Sequence, residues 1–402
     1  MKNKFNSVCV IGLGYIGLPT ASLLGTKGYN VHGVDVSQHV VDTVNSGRIH
    51  IVEPDLDILV KSAVGAGNLK ASLEPKEANV FIIAVPTPFK DNYEPDLAYV
   101  EQATKMISPL IKKGNLVILE STCPVGTTDE VVGRILSEAG HKIGTDVYVA
   151  HCPERVLPGR ILIELVQNDR VVGGINDKST HLAVEFYQTF VSGEVLSTTA
   201  KTAEMVKLTE NSFRDVNIAF ANELSMIADS EDISVWDVIN LANRHPRVNI
   251  LQPGPGVGGH CIAVDPWFIV SRSKELAKLI RTAREVNDSK PEWILNKVKA
   301  YSDKFKKPII GCLGLSFKGD VDDLRESPAL EIVRSIQKEG IADILVCEPN
   351  LEKNDEFELH GLDHVIKMSD IILVLVDHKE FKVLTAKELK EKLLIDTRGI
   401  IL

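Results

Sequence analysis

In GPGVGGHCIAVDP, residues 254–266, glycines and prolines run up to Cys261, and Asp265 follows four residues later. A thiol in such a place is either a nucleophile or a small buried residue in a glycine-rich turn. As a nucleophile it needs thiolate character, which a nearby cation such as Lys207 and the amides of a glycine-rich loop both favour. Lys207, Asn211 and Arg214 stand at i, i+4 and i+7, which puts all three on one face of a helix. That face is either the wet side of an amphipathic helix or a place where lysine and asparagine hold a hydroxyl and take its proton. With a hydride acceptor, such groups can perform two oxidations. A base assists alcohol to aldehyde; a thiol adding to the aldehyde permits a second hydride loss and leaves a thioester for water to cleave.

The hydride acceptor is read from the start of the chain. In SVCVIGLGYIGLPTASLLGTKGYNVHGVD, Gly12, Gly14 and Gly17 follow an apolar run and open a helical segment, and Asp35 closes a second short strand. This is the dinucleotide fingerprint in its required context: glycines let the backbone approach a pyrophosphate, and the helix N-terminus faces its charge. Asp35 can accept the ribose 2′-hydroxyl and would repel a 2′-phosphate, so NAD is expected over NADP.

The elements that must position these groups are legible as alternating patterns. NVFIIAVPTP, NLVILESTCPVG, DVYVAHCPE and RVVGG read as further strands between helical stretches, which implies a parallel sheet with a ligand crevice at its strand ends. Thr87, Ser121, Thr122 and Glu154 fall at those ends. From about Thr198 the chain runs for over thirty residues without Pro or Gly, a long helix. A loop through WFI and a second helical run, SKELAKLIRTAREVNDSKPEWILNKVKAYSDKF, follow. PIIGCLGLSF, DILVCEP, DIILVLVDH and KLLIDTRG then supply a second α/β unit, with a helix starting near Ser327-Pro328. Lys318, Arg325 and Arg398 sit at its strand ends or loops, where cations suit a second phosphate-bearing ligand. The expected fold class is α/β, two Rossmann-like doubly wound domains joined by a central long-helix region.

With 402 residues, two or three domains are expected. A net charge of -10 argues against a nucleic-acid surface. No apolar run approaches the roughly 20 residues of a membrane span, and no signal-peptide pattern opens the chain, so a cytoplasmic protein without a membrane partner is expected. Six dispersed cysteines lack metal-ligand spacing, so reduced thiols and no metal are expected.

GLGYIGLPTA, VPTP, ESTCPVGTT, CPE, K-x-x-x-N, GGHC-x-x-x-D and FK-x-x-x-x-D-x-R-x-SP occur in an order that resembles the UDP-glucose/GDP-mannose dehydrogenase family along essentially the whole chain. The resemblance implies an NAD-binding domain over 1–197, a central helical dimerisation and catalytic region over 198–304, and a UDP-binding domain over 305–402. It implies NAD-dependent four-electron oxidation of a nucleotide sugar's C6 alcohol to a carboxylate, with a small-molecule UDP-sugar as partner and a homodimer through the central helices. It makes Cys261 the nucleophile and Lys207 the proton donor or acceptor. Asn211 and Asp265 would position substrate, water or oxyanion, with Glu154 or Asp265 activating the hydrolytic water. Cofactor contacts would fall to Gly12, Gly14, Tyr15, Ile16, Gly17, Asp35, Thr87, Thr122, Thr127 and Arg325. Substrate contacts would fall to Arg155, Val156, Lys207, Asn211, Arg214, His245, Arg247, Gly258, Phe317, Lys318 and Arg398. Where the glucose branch reads PEFLAEG and GGSCFxKD, this chain has PERVLPG, with Arg155 and Pro158, and GGHCIAVD, with His260 and Val264. Those departures, with NRHPRVNILQPGPGVGGHCIAVDPWFI, resemble instead the branch that oxidises UDP-N-acetyl-D-mannosamine. A single-step 3-hydroxyacid dehydrogenase would lack the cysteine and the C-terminal unit, and a non-catalytic NAD-sensing protein would need no Lys207/Cys261 pair.

Overall fold

A computed structural model describes residues 5–401 other than 158 and 260, with the backbone alone of Asp91. The chain forms two compact units: Met1–Glu210 with Trp267–Arg272, and Asn211–Pro266 with Ser273–Leu402.

In the first unit β1 (Ser7–Ile11), β2 (Asn30–Val34), β3 (Leu69–Ser72), β4 (Val80–Ile83), β5 (Leu116–Leu119), β6 (Tyr148–His151), β7 (Arg170–Gly174) and β8 (Val195–Thr199) make one sheet. Their order is β3-β2-β1-β4-β5-β6-β7-β8. The inner strands VFII and LVIL are buried along their whole length, as strands covered on both faces must be. Their side chains still alternate: Val80 and Ile82 join one core layer, Phe81 and Ile83 the other.

Two features differ from the expected all-parallel sheet. β3 and β8, short edge strands that periodicity does not mark, complete it; β8 has no buried residue. More consequentially, β7 runs antiparallel to β6, with Ala150 opposite Gly174 and His151 opposite Gly173. The chain leaves β6, forms the helix Ile161–Gln167 and re-enters the sheet without crossing to its other end. Arg170, the first residue of β7, therefore lies beyond the end of β6, level with the Glu154 segment.

The second unit holds a four-stranded parallel sheet of β9 (Ile309–Leu313), β10 (Asp343–Cys347), β11 (Ile371–Val374) and β12 (Leu393–Asp396), in the order β10-β9-β11-β12. The helix Pro328–Lys338 starts where Ser327-Pro328 indicates, the Ser327 hydroxyl accepting Leu330 N–H at 3.3 Å. The long helix covers Ala200–Ser230, so it begins in the first unit and ends in the second. Phe213, Phe220 and Ile227 stand on it at seven-residue intervals and are 68%, 57% and 52% exposed. A further helix, Asp265–Arg272, occupies residues expected as loop; an acid at its start and Pro266 in its first turn favour that beginning. Among the described residues no helix is long and apolar enough to cross a membrane.

Candidate active site

The fingerprint turn is built for close approach. Gly12 takes φ +93°, and a Cβ on Gly17 would lie 1.8 Å from the Gly12 carbonyl oxygen, so neither position accepts a side chain. A Cβ on Gly14 would meet nothing within 4 Å, which leaves room over the helix Gly17–Thr26 for a pyrophosphate. Tyr15 and Ile16 continue the turn into the helix, where Leu18 and Thr20 N–H donate to the Gly14 and Ile16 carbonyls at 3.1 Å each and Pro19 carries no N–H, so the helix end meets an anion through its dipole more than through a row of amides. Asp35 is aimed by two backbone amides, Leu13 N–H to Oδ2 at 3.1 Å and Ser37 N–H to Oδ1 at 2.9 Å. His50, which the sequence patterns do not single out, belongs to the same corner. Burial lowers its pKa against the attraction of Asp35, which favours the neutral ring there. These residues fit a dinucleotide.

The strand-end residues come next. The Thr87 hydroxyl donates to the Thr122 carbonyl at 2.5 Å, joining the VPTP and ESTCPVG loops. Thr127 donates to the Pro124 carbonyl at 2.7 Å. Glu204, from the second turn of the long helix, fixes this loop by accepting Gly126 N–H at 2.5 Å and both the amide and the hydroxyl of Thr128 at 2.7 and 2.6 Å. Cys123 and His151 are buried beside it, all three groups within 4.8 Å of one another. With both Glu204 oxygens taken, the carboxylate serves as a loop anchor. Glu154 is 7% exposed; its Oε2 accepts Arg170 Nη1 at 2.7 Å and its Oε1 the Arg155 amide at 2.7 Å. Glu53 holds the following loop, accepting Gly159 and Ile161 N–H at 2.8 Å each. Arg155 pairs with Glu210 at 2.6 Å, and Val156 is half-buried beside it.

In the second unit, Asn211 and Asp265 are brought together from 54 residues apart: Asn211 Nδ2 donates to Asp265 Oδ2 at 2.5 Å. Cys261 lies one turn before that aspartate, its carbonyl accepting Asp265 N–H at 2.9 Å. Of the six cysteines only Cys261 is not buried; burial pushes the thiols of Cys152 and Cys312 up to about 12. The glycine loop leading to Cys261 is pinned on both sides. Gly254 N–H donates to Asn222 Oδ1 at 2.8 Å, and Gly259 N–H to the Arg325 carbonyl at 3.2 Å. A Cβ on Gly258 would lie 2.3 Å from the Glu326 carbonyl oxygen and 2.9 Å from Phe317 Cβ.

The remaining expected residues are dispersed. Lys207 is half-buried and Arg214 exposed on the long helix. His245 and Arg247 are exposed on a loop closed by Asn243, which exchanges two bonds with the Ile250 backbone at 2.7 and 3.0 Å. Lys318 is exposed, Arg325 chelates Asp323 at 2.6–3.1 Å, and Arg398 pairs with Asp377 at 2.7 Å. Burial raises the Asp377 carboxyl, but Arg398 outweighs it and holds it below the usual range. Pro158 and His260 lie outside the described residues. Sequence reasoning also missed Glu120 and Arg170, whose only signal is a charge at the border of an apolar run, and Tyr187, which carries no such signal.

Comparison with known proteins adds three matches to one family. Residues 6–191 match the NAD binding domain of the UDP-glucose/GDP-mannose dehydrogenase family, 201–289 its central domain and 311–402 its UDP binding domain. The chain is 56% identical to a UDP-N-acetyl-D-mannosamine dehydrogenase of Campylobacter jejuni, covering 94% of this chain and 97% of that one. It is 54% identical to an NDP-N-acetyl-D-galactosaminuronic acid dehydrogenase of Ralstonia nicotianae, covering 98% and 96%. The structure of the UDP-N-acetyl-mannosamine dehydrogenase Cap5O from S. aureus is similar, with a TM-score of 0.91 and 44% identity over 98% of this chain and 95% of that one.

Proposed function

Since the chain belongs to the UDP-glucose/GDP-mannose dehydrogenase family, we propose that it oxidises the C6 hydroxyl of UDP-N-acetyl-D-mannosamine to UDP-N-acetyl-D-mannosaminuronate. A uronate of this kind serves bacterial surface polysaccharides, and its nucleotide-sugar precursor suits a cytoplasmic enzyme. The observation that carries the reading is Cys261, the one cysteine of six left accessible, a single turn before the Asn211–Asp265 pair.

NAD, held by the Gly12–Gly17 turn and Asp35, would supply the hydride acceptor for C6, one NAD for each of the two oxidations. In the first, Lys207 takes the hydroxyl proton as the C6 aldehyde forms. Cys261 Sγ then adds to the aldehyde carbon, giving a thiohemiacetal whose oxygen Lys207 and Asn211 steady. Loss of the second hydride from that carbon, with its hydroxyl proton, leaves a thioester. Glu154 takes a proton from water, the water oxygen bonds to the carbonyl carbon, and the C–S bond breaks to return the Cys261 thiolate and the acid. Asp265, already engaged by Asn211, orients that asparagine.

Lys318 and Arg398 suit the diphosphate and uridine, and Arg325 suits the cofactor. His245 and Arg247 suit the sugar end. The identities are shared between mannosamine and galactosaminuronate enzymes, so UDP-N-acetylgalactosamine is the second reading for the same chemistry. The seven-residue stripe of Phe213, Phe220 and Ile227 supports a homodimer through the long helices, because a lone subunit would leave it in water.

The test is NADH yield on UDP-hexoses and UDP-N-acetylhexosamines. Two NADH per UDP-N-acetylmannosamine are expected; one NADH, or preference for UDP-glucose, overturns the reading. Cys261→Ala should lose net acid formation while Cys9→Ala keeps it.

A further inference from the structure

Glu120 is a second carboxylate in the buried layer behind Glu154. It follows β5 and is 3% exposed. Its Oε1 accepts the Tyr187 hydroxyl at 2.6 Å, while Oε2 is buried without a hydrogen-bond partner. One arginine lies beside both acids, bonded to Glu154 and acting on Glu120 through its charge alone. Arg170 is 2% exposed, donates from Nη1 to Glu154 at 2.7 Å, stands over the Tyr187 ring at 5.7 Å, and keeps its Nε buried without a partner.

Two ionised carboxylates beside one guanidinium would leave a net negative charge where water does not reach, and desolvation makes that costly. Balance returns when one acid holds a proton. Glu154 has the guanidinium and Glu120 only a phenol, so the proton belongs on Glu120. Burial, then the charge of Glu154, pushes the Glu120 carboxyl up to about 7 against the pull of Arg170 and Tyr187. The titratable and charged groups facing it are Glu154, Arg170, Tyr187 and Cys152. Burial drives the Cys152 thiol to about 12 and the Tyr187 phenol well above its ordinary value, so neither ionises where the enzyme works.

We propose that Glu120 is a positioning residue for thioester hydrolysis: through the shared Arg170 it sets how readily Glu154 takes the proton of the hydrolytic water. This rests on the reading of Glu154 as the base. With Glu120 protonated, Glu154 is the one carboxylate whose charge the Arg170 guanidinium faces. With Glu120 ionised, the guanidinium faces two negative charges and the local field around the hydrolytic water turns negative.

The test follows NADH and the Cys261 acyl-enzyme, by rapid quench and intact mass, on the full-length protein from about pH 5.5 to 8.5 with UDP-N-acetylmannosamine and NAD. The first NADH burst reports folding and binding; decay of the acyl-enzyme reports hydrolysis. Wild-type decay should rise severalfold through a midpoint near 7, where Glu120 loses its proton. Glu120→Gln should hold the low-pH rate throughout, and Glu120→Asp should restore the rise. Tyr187→Phe, which removes a donor that favours ionised Glu120, should move the midpoint upward and serves if Glu120→Gln fails to fold. Unchanged pH profiles in Glu120→Gln, or in Tyr187→Phe, would overturn the proposal. Full hydrolysis by Glu154→Gln would instead overturn the assignment of the base, an outcome read separately.

Discussion

Cys261 differs from the other five cysteines in that water reaches it. Residue types at strand ends and in the glycine loop were legible because fixed short spacings announce them: Gly12 to Gly17, Lys207 to Asn211, Cys261 to Asp265. The layer behind Glu154 was not. Tyr187 meets Glu120 across 67 residues and Arg170 meets Glu154 across 16 with a strand reversal between, and no local pattern encodes either pairing. Removing one partner of such a buried ion pair strands the other charge. Arg170→Met should therefore cost about 3–5 kcal/mol of stability, read as a lowered denaturation midpoint; a wild-type midpoint would show that Glu154 discards its charge instead. At the cofactor, Asp35→Ala should narrow the preference for NAD over NADP, measured as the ratio of the two kcat/KM values. An unchanged ratio would remove Asp35 from the ribose site.

Among elements, those buried on both faces were the readable ones, since VFII and LVIL are apolar without interruption. Edge strands β3 and β8 escaped because a half-covered strand needs no such run. The helix Asp265–Arg272 escaped because the glycines before it pull the eye towards loop. At the fingerprint turn, Gly17→Ala forces a Cβ against the Gly12 carbonyl. Such overpacking costs about 1–3 kcal/mol, so NAD binding should weaken about five- to 150-fold by fluorescence titration, and wild-type affinity would contradict the geometry. In the helix Lys278–Ser302, Lys290 is buried beside Ser225 and over Trp293, and burial lowers its ammonium to about 7. Its unfolded counterpart holds a proton to about 10.4. The unfolded chain thus binds more protons between those values, and stability should rise with pH across that window, the burial penalty being full below it. Lys290→Met should flatten that rise in unfolding midpoints; an equal slope would assign it to other groups.

For the whole molecule, the apolar stripe on the long helix makes assembly testable. Phe213→Glu with Phe220→Glu should yield monomers by sedimentation, while a dimer surviving both changes would move the interface elsewhere. The division into units has another consequence. Trp267–Arg272 belong to the first unit although the chain on either side belongs to the second. Trp267 stacks on Tyr93 with ring centroids 4.0 Å apart, and Arg272 grips Glu130 at 2.7 and 3.1 Å. A nascent chain released only to residue 210 would thus hold a nucleotide cradle with its last piece missing. The ribosome must thread a further sixty or so residues before that piece arrives, so the N-terminal unit cannot finish folding ahead of its successor. A gene fragment cut after Glu210 should accordingly be a poor protein.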